Sequence, residues 1–305
     1  MSAAARIAVV VVHHNLADEL IGCLESVRRH APAGWCEYWV VDNASTDDSL
    51  ARLRREFPEA HLIANPKNLG FAAANNQALE RAGGEFALLI NNDARLTAGA
   101  LEELVRALES DPALALAGPK LLDPDGEVQL STGRMLHFHT ELWQRCLGRA
   151  YALGVPLARN YVRRRAERPH RPHWVSGACF LARLAALRRA GLFDPHFFMY
   201  TEEVDLCERL HRLGYAVAYV PSAAVIHRGG GSSALQGGLT ALAYRRSQLY
   251  FYAKHHGRAA LELLRLYLLG KFLLRELWLA SAAAPERRLN HELLRLVWRY
   301  PSSRV

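Results

Sequence analysis

Four short apolar runs early in the chain each end in a polar cluster. Ile7 to Val12 runs into His13-His14-Asn15, Tyr38 to Val41 into Asp42-Asn43, His61 to Ala64 into Asn65, and Phe86 to Ile90 into Asn91-Asn92-Asp93. Asn and Asp favour turns and helix starts, which accounts for any one of these ends. Four in succession point instead to the carboxyl edge of a parallel sheet, where converging loops bind ligands. A nucleotide suits such an edge, yet neither G-x-G-x-x-G nor G-x-x-x-x-G-K-[ST] follows the first run. A diphosphate there needs another counter-charge, and a divalent cation held by one carboxylate plus the phosphates supplies it. Asp93 is the candidate ligand, and capping the turn before Thr97 is an equally good local account of it.

A second group of acids, Glu202, Glu203 and Asp205, opens a predicted helix. Acids in a first turn complement the helix dipole, and Arg209 stands four residues beyond Asp205 as an ion-pair partner. Glu203 has Cys207 at that spacing instead. A neighbouring carboxylate would raise its pKa toward the range of a general base, which makes Glu203 the candidate proton acceptor. His227 ends the last predicted strand and is followed by Arg228 and three glycines. A lone His is more often structural than a ligand, but glycines permit close backbone approach to a bound molecule.

The elements that must carry these residues follow a βαβ rhythm. A fifth apolar run spans Leu114 to Ala117, and helices are expected near Asp18 to Arg29, Asp47 to Phe57, Phe71 to Ala82 and Ala98 to Ser110. Ser45 and Thr46 before Asp47, and Thr97 before Ala98, read as helix-capping residues. Pro124-Asp125-Gly126 signals a turn. Residues 140–173 show no clear period and read as a mobile or partner-facing segment. Beyond them come Trp174 to Leu181, a helix to Ala190, a helix from Glu203 to Leu213, and strands at Tyr215 to Val220 and Ala224 to Ile226. Gly229-Gly230-Gly231-Ser232-Ser233 breaks the chain, and residues 239–299 read as helical throughout. The expected architecture is a single Rossmann-like α/β domain over 1–238 with a mostly parallel central sheet. Its nucleotide-binding half is 1–120 and its acceptor and catalytic half 121–238; a C-terminal helical extension occupies 239–305.

The formal charge of the 305 residues is +8, but it is unevenly placed. Residues 159–173 hold six Arg and one Glu, and residues 239–305 hold twelve Lys or Arg and four Glu, which leaves the remainder net negative. A nucleic-acid binder carries its basic stripe on the folded core, so nucleic acid is not the expected partner. Appended positive charge suits surface docking. Within 258–280, Leu261, Leu264, Leu268, Phe272 and Leu279 alternate with Arg265, Lys271, Arg275 and Glu276. Two readings stand: a helix packed on the domain, or a helix on an anionic membrane surface with Trp278 at the interface. Cys23, Cys36, Cys146, Cys179 and Cys207 are scattered, with no metal or redox spacing, and read as reduced core residues of a cytoplasmic protein. Ile7 to Val12 is too short for a signal sequence, and no apolar run reaches the ~20 residues of a membrane span.

From Ile7 to Ser233 the chain resembles family 2 glycosyltransferases of the GT-A fold, in the bacterial rhamnosyltransferase-like branch. The resemblance rests on five motifs in order: Val41-Asp42-Asn43-Ala44-Ser45-Thr46-Asp47, Asn65-Pro66-Lys67-Asn68-Leu69-Gly70-Phe71 with Asn75-Asn76, Asn91-Asn92-Asp93, Trp174-Val175-Ser176-Gly177-Ala178, and Phe198-Met199-Tyr200-Thr201-Glu202-Glu203-Val204-Asp205-Leu206. It implies a nucleoside pocket formed by Asn15, Asp42, Asn43, Asn68, Gly70 and Asn92. Asp93 and His227 would hold Mg²⁺ or Mn²⁺, Glu203 would be the general base, and Trp174, Ser176, Gly177, Glu202, Asp205 and Arg228 would line the sugar and acceptor side. Three departures stand out: His13-His14-Asn15 where the family often has Asn-Tyr-Asn, Asn91 in place of a first acid, and Glu203 where this branch usually has Asp.

The implied activity is inverting, metal-dependent hexosyl transfer, with rhamnose the branch's sugar, in cell-wall or polysaccharide biosynthesis. The donor would be a dTDP-, UDP- or GDP-sugar and the acceptor a saccharide or lipid-linked saccharide. The enzyme is expected in the cytoplasm, with peripheral attachment to the inner face of the membrane as the docking reading. The alternative is a nucleotide-sugar binding protein without catalysis, suggested by Asn91 and Glu203.

Overall fold

The computed structural model describes residues 5–229, 237–279 and 284–301. Strand β1 (Ile7–His13) is apolar on consecutive positions because both its faces are covered. Ile7, Val9 and Val11 pack with Leu20 and Leu24 of α1 (Ala17–His30) and with Leu104 and Leu108 of α4 (Ala100–Ser110). The alternate residues Ala8 and Val10 are just as buried, and α3 (Phe71–Leu79) lies against β1 and its neighbour β2 (Cys36–Asp42). Both α1 and α4 place apolar residues at helical spacing, Leu20-Leu24-Val27 and Leu101-Leu104-Leu108, so each presents one apolar stripe to the sheet. Full burial of each such side chain contributes about 1.5–3 kcal/mol.

β1 pairs in parallel with β2 on one side and with β4 (Phe86–Ile90) on the other, and β2 pairs in parallel with β3 (His61–Ala64). The order β3-β2-β1-β4 therefore reverses direction between β1 and β4, which opens a crevice at their carboxyl ends. β9 (Cys179–Arg183) runs antiparallel between β4 and β6 (Leu114–Leu122). Beyond β6 lie β10 (Ala216–His227), parallel to it, and β5 (Ala94–Leu96), antiparallel to β10 at the edge. A separate short pair joins β7 (Thr132–Gly133) to β8 (Trp174–Val175). The two strands expected at 215–220 and 224–226 are one strand with an irregularity between Val220 and Ala224.

Several local expectations need correction. Neither Ser45 nor Thr46 caps α2 (Ser49–Glu56), whose N-cap is Asp48 without a side-chain bond. Thr97 does not cap α4 either; its hydroxyl donates to Ala224 O of β10 at 2.8 Å, and Gly99 in the left-handed region starts the helix. The segment without a period contains two helices, α5 (Phe138–Ala152) and α6 (Pro156–Ala166). Their starts are locally encoded, by a His137–Thr140 capping box and by Pro156 in the first turn. Cys146 is exposed rather than in the core, and all five cysteines are free. α7 (Leu184–Arg189) and α8 (Glu202–Arg212) complete this part of the chain.

The chain divides into two compact units, Met1–Pro195 with Glu203–Ser232, and His196–Glu202 with Ser233–Val305. The second contains α9 (Gly237–His255), α10 (Arg258–Trp278) and α11 (Ala284–Arg299). Within it, Leu261, Leu264, Leu268 and Phe272 are buried, so this stripe of α10 is a packing face. Asn290 of α11 donates to Phe272 O at 3.0 Å and to Glu276 Oε2 at 2.6 Å. Residues 230–233 of the expected glycine-serine break lie outside the described residues. No described helix is long and apolar enough to cross a membrane.

Candidate active site

The loops after β1, β2 and β3 are stitched together by the polar residues that end those strands. Asp42 accepts bonds from the backbone N–H of Ser45 (3.1 Å) and from its hydroxyl. Ser45 Oγ in turn accepts the Asn15 N–H at 2.8 Å, and Asn15 Oδ1 accepts the Thr46 N–H at 2.9 Å. Asn15 (φ 59°) and Ala44 (φ 65°) sit in the left-handed region to make these turns. Asn43 donates to Gly70 O (3.2 Å) and accepts from Asn65 (3.0 Å), which pairs reciprocally with Gln77 at 2.9 Å in both directions. Asn68 Oδ1 closes the next turn on the Gly70 N–H at 2.9 Å. Asp42, Asn43 and Asn65 are all buried, so the walls of the crevice are held rigid by their own polar groups. Asn76 is drawn away from it, bonding both Phe193 O (2.8 Å) and Phe193 N (3.0 Å).

At the floor of the crevice, between β1 and β4, His13 is fully buried. Burial pushes its pKa down to about 4, with Asp42 and Asp47 opposing the shift only in part. The ring is thus neutral near pH 7, and its Nδ1 lies 3.1 Å from the Asn92 amide nitrogen, which must donate to it. Asn92 is fixed in this way next to Asp93.

Asp93 and His227 are brought together by sheet pairing. The antiparallel register sets His227 opposite Ala94, and the Arg228 N–H donates to Asp93 O at 3.1 Å. Their side chains then meet with His227 Nε2 3.4 Å from Asp93 Oδ1. Gln129 fixes the imidazole: its Nε2 donates to His227 O at 2.7 Å, which turns its Oε1 toward His227 Nδ1 at 2.8 Å. An amide oxygen only accepts, so the proton sits on Nδ1 and the Nε2 lone pair faces Asp93. Two electron-pair donors facing each other suit a cation. Bonds of about 2.0–2.2 Å to two adjacent octahedral positions would separate the ligand atoms by roughly 3 Å, close to the observed spacing. No cluster of three or more His, Cys, Asp or Glu suited to a metal occurs among the described residues. The residues fit a cation that completes its shell with phosphate oxygens and water.

Glu203 lies across a turn from this pair. The Asn91 N–H donates to Ala178 O at 2.8 Å, which ties the end of β4 to the segment leading into β9. On the other side of that segment, a Cβ added to Gly177 would lie 3.8 Å from Glu203 Cβ and Cδ and from Phe71 Cε1. The turn thus meets Glu203 at Gly177 and the backbone of Asn91, two residues before Asp93, at Ala178. Burial raises the Glu203 pKa, opposed by backbone N–H groups of Glu203, Gly177 and Val204 that reach the carboxylate. Desolvation, rather than the neighbouring acid expected from the sequence, is the dominant cause. Its Oε2 is shut off from solvent and has no hydrogen-bond partner. Tyr200 (φ 69°) and Thr201 (φ 65°), both left-handed, turn the chain into α8 just before it.

A family model described as Glycosyl transferase family 2 matches residues 8–206. The chain belongs to glycosyl transferase family 2. It is 30% identical over 270 residues to the N-acetylglucosaminyl-diphospho-decaprenol L-rhamnosyltransferase of Mycobacterium tuberculosis (strain ATCC 25618 / H37Rv), covering 85% of this chain and 87% of that one. It is 26% identical over 235 residues to an O-antigen biosynthesis protein of Myxococcus xanthus, covering 73% of this chain and 17% of that one. Among solved structures, a mannosyltransferase from Pyrobaculum calidifontis with GDP-Man and Mn²⁺ superposes with TM-score 0.55 at 18% identity, covering 97% of this chain and 70% of that one. GalNAc-T7 with UDP, GalNAc and Mn²⁺ gives TM-score 0.56 at 15% identity, covering 82% of this chain and 51% of that one. The fold is therefore of the GT-A type, and the protein is a glycosyltransferase.

In this transferase the other residues singled out from sequence have traceable roles. Asp205 is fully buried, and its Oδ2 accepts from Arg209 Nε at 2.8 Å, the four-residue pairing that the spacing suggested. Arg228 is paired with Glu19, which also accepts from Arg95 at 2.6 Å. Trp174 donates to Arg134 O at 2.8 Å, and Ser176 N–H donates to Ser131 O at 2.7 Å, so both anchor β8 to β7. Glu202 is buried in the second unit. Gln129 was not singled out, and His13 was read only as part of the polar cluster that ends the first run. Gln129 sits in a short polar stretch after a turn and carries no local signal; only the pairing of distant strands reveals it.

Proposed function

We propose that this transferase moves a sugar, rhamnose in the first instance, from a nucleotide-diphosphate donor to a hydroxyl of a lipid-linked saccharide, with inversion at the anomeric carbon. The observation that carries this reading is that Asp93 and His227 face each other while the desolvated Glu203 packs on Gly177, whose neighbour Ala178 is bonded to Asn91, two residues before Asp93. The Mycobacterium relative, named for rhamnosyl transfer to an N-acetylglucosaminyl-diphospho-decaprenol, supports the sugar and the acceptor class.

Asn15, Asp42, Asn43, Asn68, Gly70 and Asn92 shape the pocket for the nucleoside, a dTDP, UDP or GDP unit. Asp93 and His227 would hold Mg²⁺ or Mn²⁺, which when bound offsets the charge that grows on the departing diphosphate. Glu203 takes the proton of the acceptor hydroxyl as that oxygen bonds to the anomeric carbon and the bond to the diphosphate breaks. A base that pairs with no cation keeps a raised pKa, which strengthens it for this transfer. Trp174, Ser176 and Gly177 form the wall beside the reacting sugar, and Asp205 and Arg228 are its more distant supports. The test is a thermal-shift panel of dTDP-, UDP- and GDP-sugars with and without Mn²⁺, followed by transfer assays on wild type and Glu203→Gln. Turnover should fall by about 10²–10⁴-fold in the variant with donor binding kept; turnover near wild type would remove Glu203 from the role. Donor binding by wild type with no turnover on any acceptor would favour the non-catalytic alternative.

Peripheral attachment to an anionic membrane is supported by α10. Opposite its packing stripe, Leu263 (51%), Leu266 (67%), Leu273 (59%), Leu274 (62%) and Leu277 (74%) are exposed, with Trp278 at the end. Lys271 and Arg275 are exposed on the same helix, and basic side chains on such a helix are attracted to an anionic bilayer surface. Replacing Leu266 and Leu273 by Ser should reduce flotation with phosphatidylglycerol vesicles; unchanged flotation would count against the stripe.

A further inference from the structure

The cavity bounded by the loop after β6, β7 and helices α5 and α6 belongs to none of the motifs above. It has a volume of about 120 Å³ and is lined by Gln129, Leu130, Arg134, Trp143, Tyr161 and Arg165 among others. Two connections tie it to the site already described. Gln129, on its wall, is the residue that orients His227. β7, also on its wall, pairs with β8, and the Ser176 N–H beyond β8 donates to Ser131 O at 2.7 Å. The cavity is thus adjacent to both the Asp93–His227 pair and the segment leading into the turn against which Glu203 packs.

Its chemistry is amphipathic. Leu130 (46% exposed), Trp143 (59%) and Tyr161 (45%) leave large apolar surface open at the rim. A second hollow shares Tyr161, Arg165 and His170 with it and adds Leu157, Arg164 and Arg168. Leu157 is 82% exposed. The ion pairs of this region divide along the same line. Arg145, Arg163 and Arg171, none of which lines either hollow, are paired with Glu141, Glu127 and Asp111. Among the described residues, Arg134, Arg164, Arg165 and Arg168, which do line them, form no ion pair within 4 Å. Guanidinium groups left without acids beside exposed aromatic and aliphatic surface match a ligand that is an anion at one end and a hydrocarbon at the other.

We infer that this groove is the acceptor subsite, and that it takes a lipid diphosphate: the sugar end reaches past Gln129 toward Glu203, the diphosphate lies on Arg134 and Arg165, and the lipid runs over Trp143, Tyr161 and Leu157. This rests on the transferase reading above, but binding to the groove is measurable without transfer. Farnesyl diphosphate, inorganic pyrophosphate and farnesol would be titrated into the full chain by calorimetry in EDTA, so that Asp93 and His227 cannot recruit phosphate through a cation. Farnesyl diphosphate should bind saturably and at least tenfold more tightly than either fragment. Arg164→Ala with Arg165→Ala should weaken it tenfold or more, and Trp143→Ala should remove most of its advantage over pyrophosphate. All three side chains are at the surface, and unchanged melting temperature and nucleotide-sugar binding verify that the variants are folded. Arg134→Ala serves if the double variant is not. Absence of saturable binding to wild type, or equal binding by the variants, overturns the assignment. Arg-dependent binding to phosphatidylglycerol vesicles without binding of farnesyl diphosphate also overturns it, in favour of a membrane patch. Binding without sugar transfer would leave the groove standing and refute the proposed transfer to a lipid-linked saccharide; transfer that the groove variants leave undiminished would do the reverse.

Discussion

Gln129 offers the sharpest test of how the proposed cation site is built. Its amide makes two bonds to the same residue, 2.7 Å to His227 O and 2.8 Å to His227 Nδ1. Replacement by Leu, similar in length, removes both and leaves the imidazole free to rotate or to change tautomer. At about 0.5–1.5 kcal/mol per bond the loss is about 2 kcal/mol, or roughly 30-fold in cation affinity. That lies within the ~10–100-fold expected when the residue behind a metal-binding His is removed. The assay is an electron paramagnetic resonance titration of Mn²⁺ with donor nucleotide present, on wild type, Gln129→Leu and Gln129→Glu. The Glu variant keeps an acceptor for the Nδ1 proton while losing the donor to the carbonyl, so its Mn²⁺ affinity should lie between the other two. A Gln129→Leu protein with native circular dichroism and a Mn²⁺ dissociation constant within twofold of wild type would refute the clamp, and with it the claim that His227 presents a fixed lone pair.

Two further outcomes follow from buried groups. Burial raises the Glu203 pKa in the folded protein above its unfolded value, so the folded state holds the extra proton and stability falls as pH rises through that window. Glu203→Gln should therefore gain melting temperature relative to wild type above the window and none below it. The transfer rate of wild type should decline as pH falls through the same raised value; parallel melting curves for the two proteins at all pH values would contradict this. A Cβ at Gly118 of β6 would lie 2.7 Å from Val175 Cβ and Cγ1. Gly118→Ala should thus cost about 1–3 kcal/mol in urea denaturation by pushing β8 away from the sheet, and a loss under 0.5 kcal/mol would show that β8 yields freely.

The strands β3 and β4 were legible to the residue for different reasons: β4 is a continuously apolar run buried at every position, whereas β3 is a partly exposed edge strand marked only by the polar Asn65 that ends it. The ligand candidates Asp93 and His227 were legible as types at strand ends, but their meeting depends on an antiparallel pairing between strands distant in the sequence, which no local pattern encodes. The helices α5 and α6 were missed because their exposed Trp143, Leu157 and Tyr161 blur the usual apolar stripe. On the present reading that blurring has a cause, since those side chains serve a ligand rather than the core. Ser45 and Thr97 misled for a related reason. Each is a good helix cap in isolation, and each was claimed by a distant partner, the Asn15 N–H and Ala224 O respectively. The stripe Leu261-Leu264-Leu268-Phe272 was visible as a pattern, but which face of α10 meets solvent required the neighbouring helix to be seen.

The edge pairing of β5 with β10 also sets an order of events. His227 is the final residue of the final strand in its sheet, so a chain emerging from the ribosome has the aspartate long before the imidazole that faces it. On the proposed role of this pair, an ion would be captured only once that strand has slotted against its neighbours, and its binding would then favour the finished topology by mass action. Mn²⁺ uptake during refolding would consequently lag behind recovery of most secondary structure, and would mark the moment at which the sheet is complete.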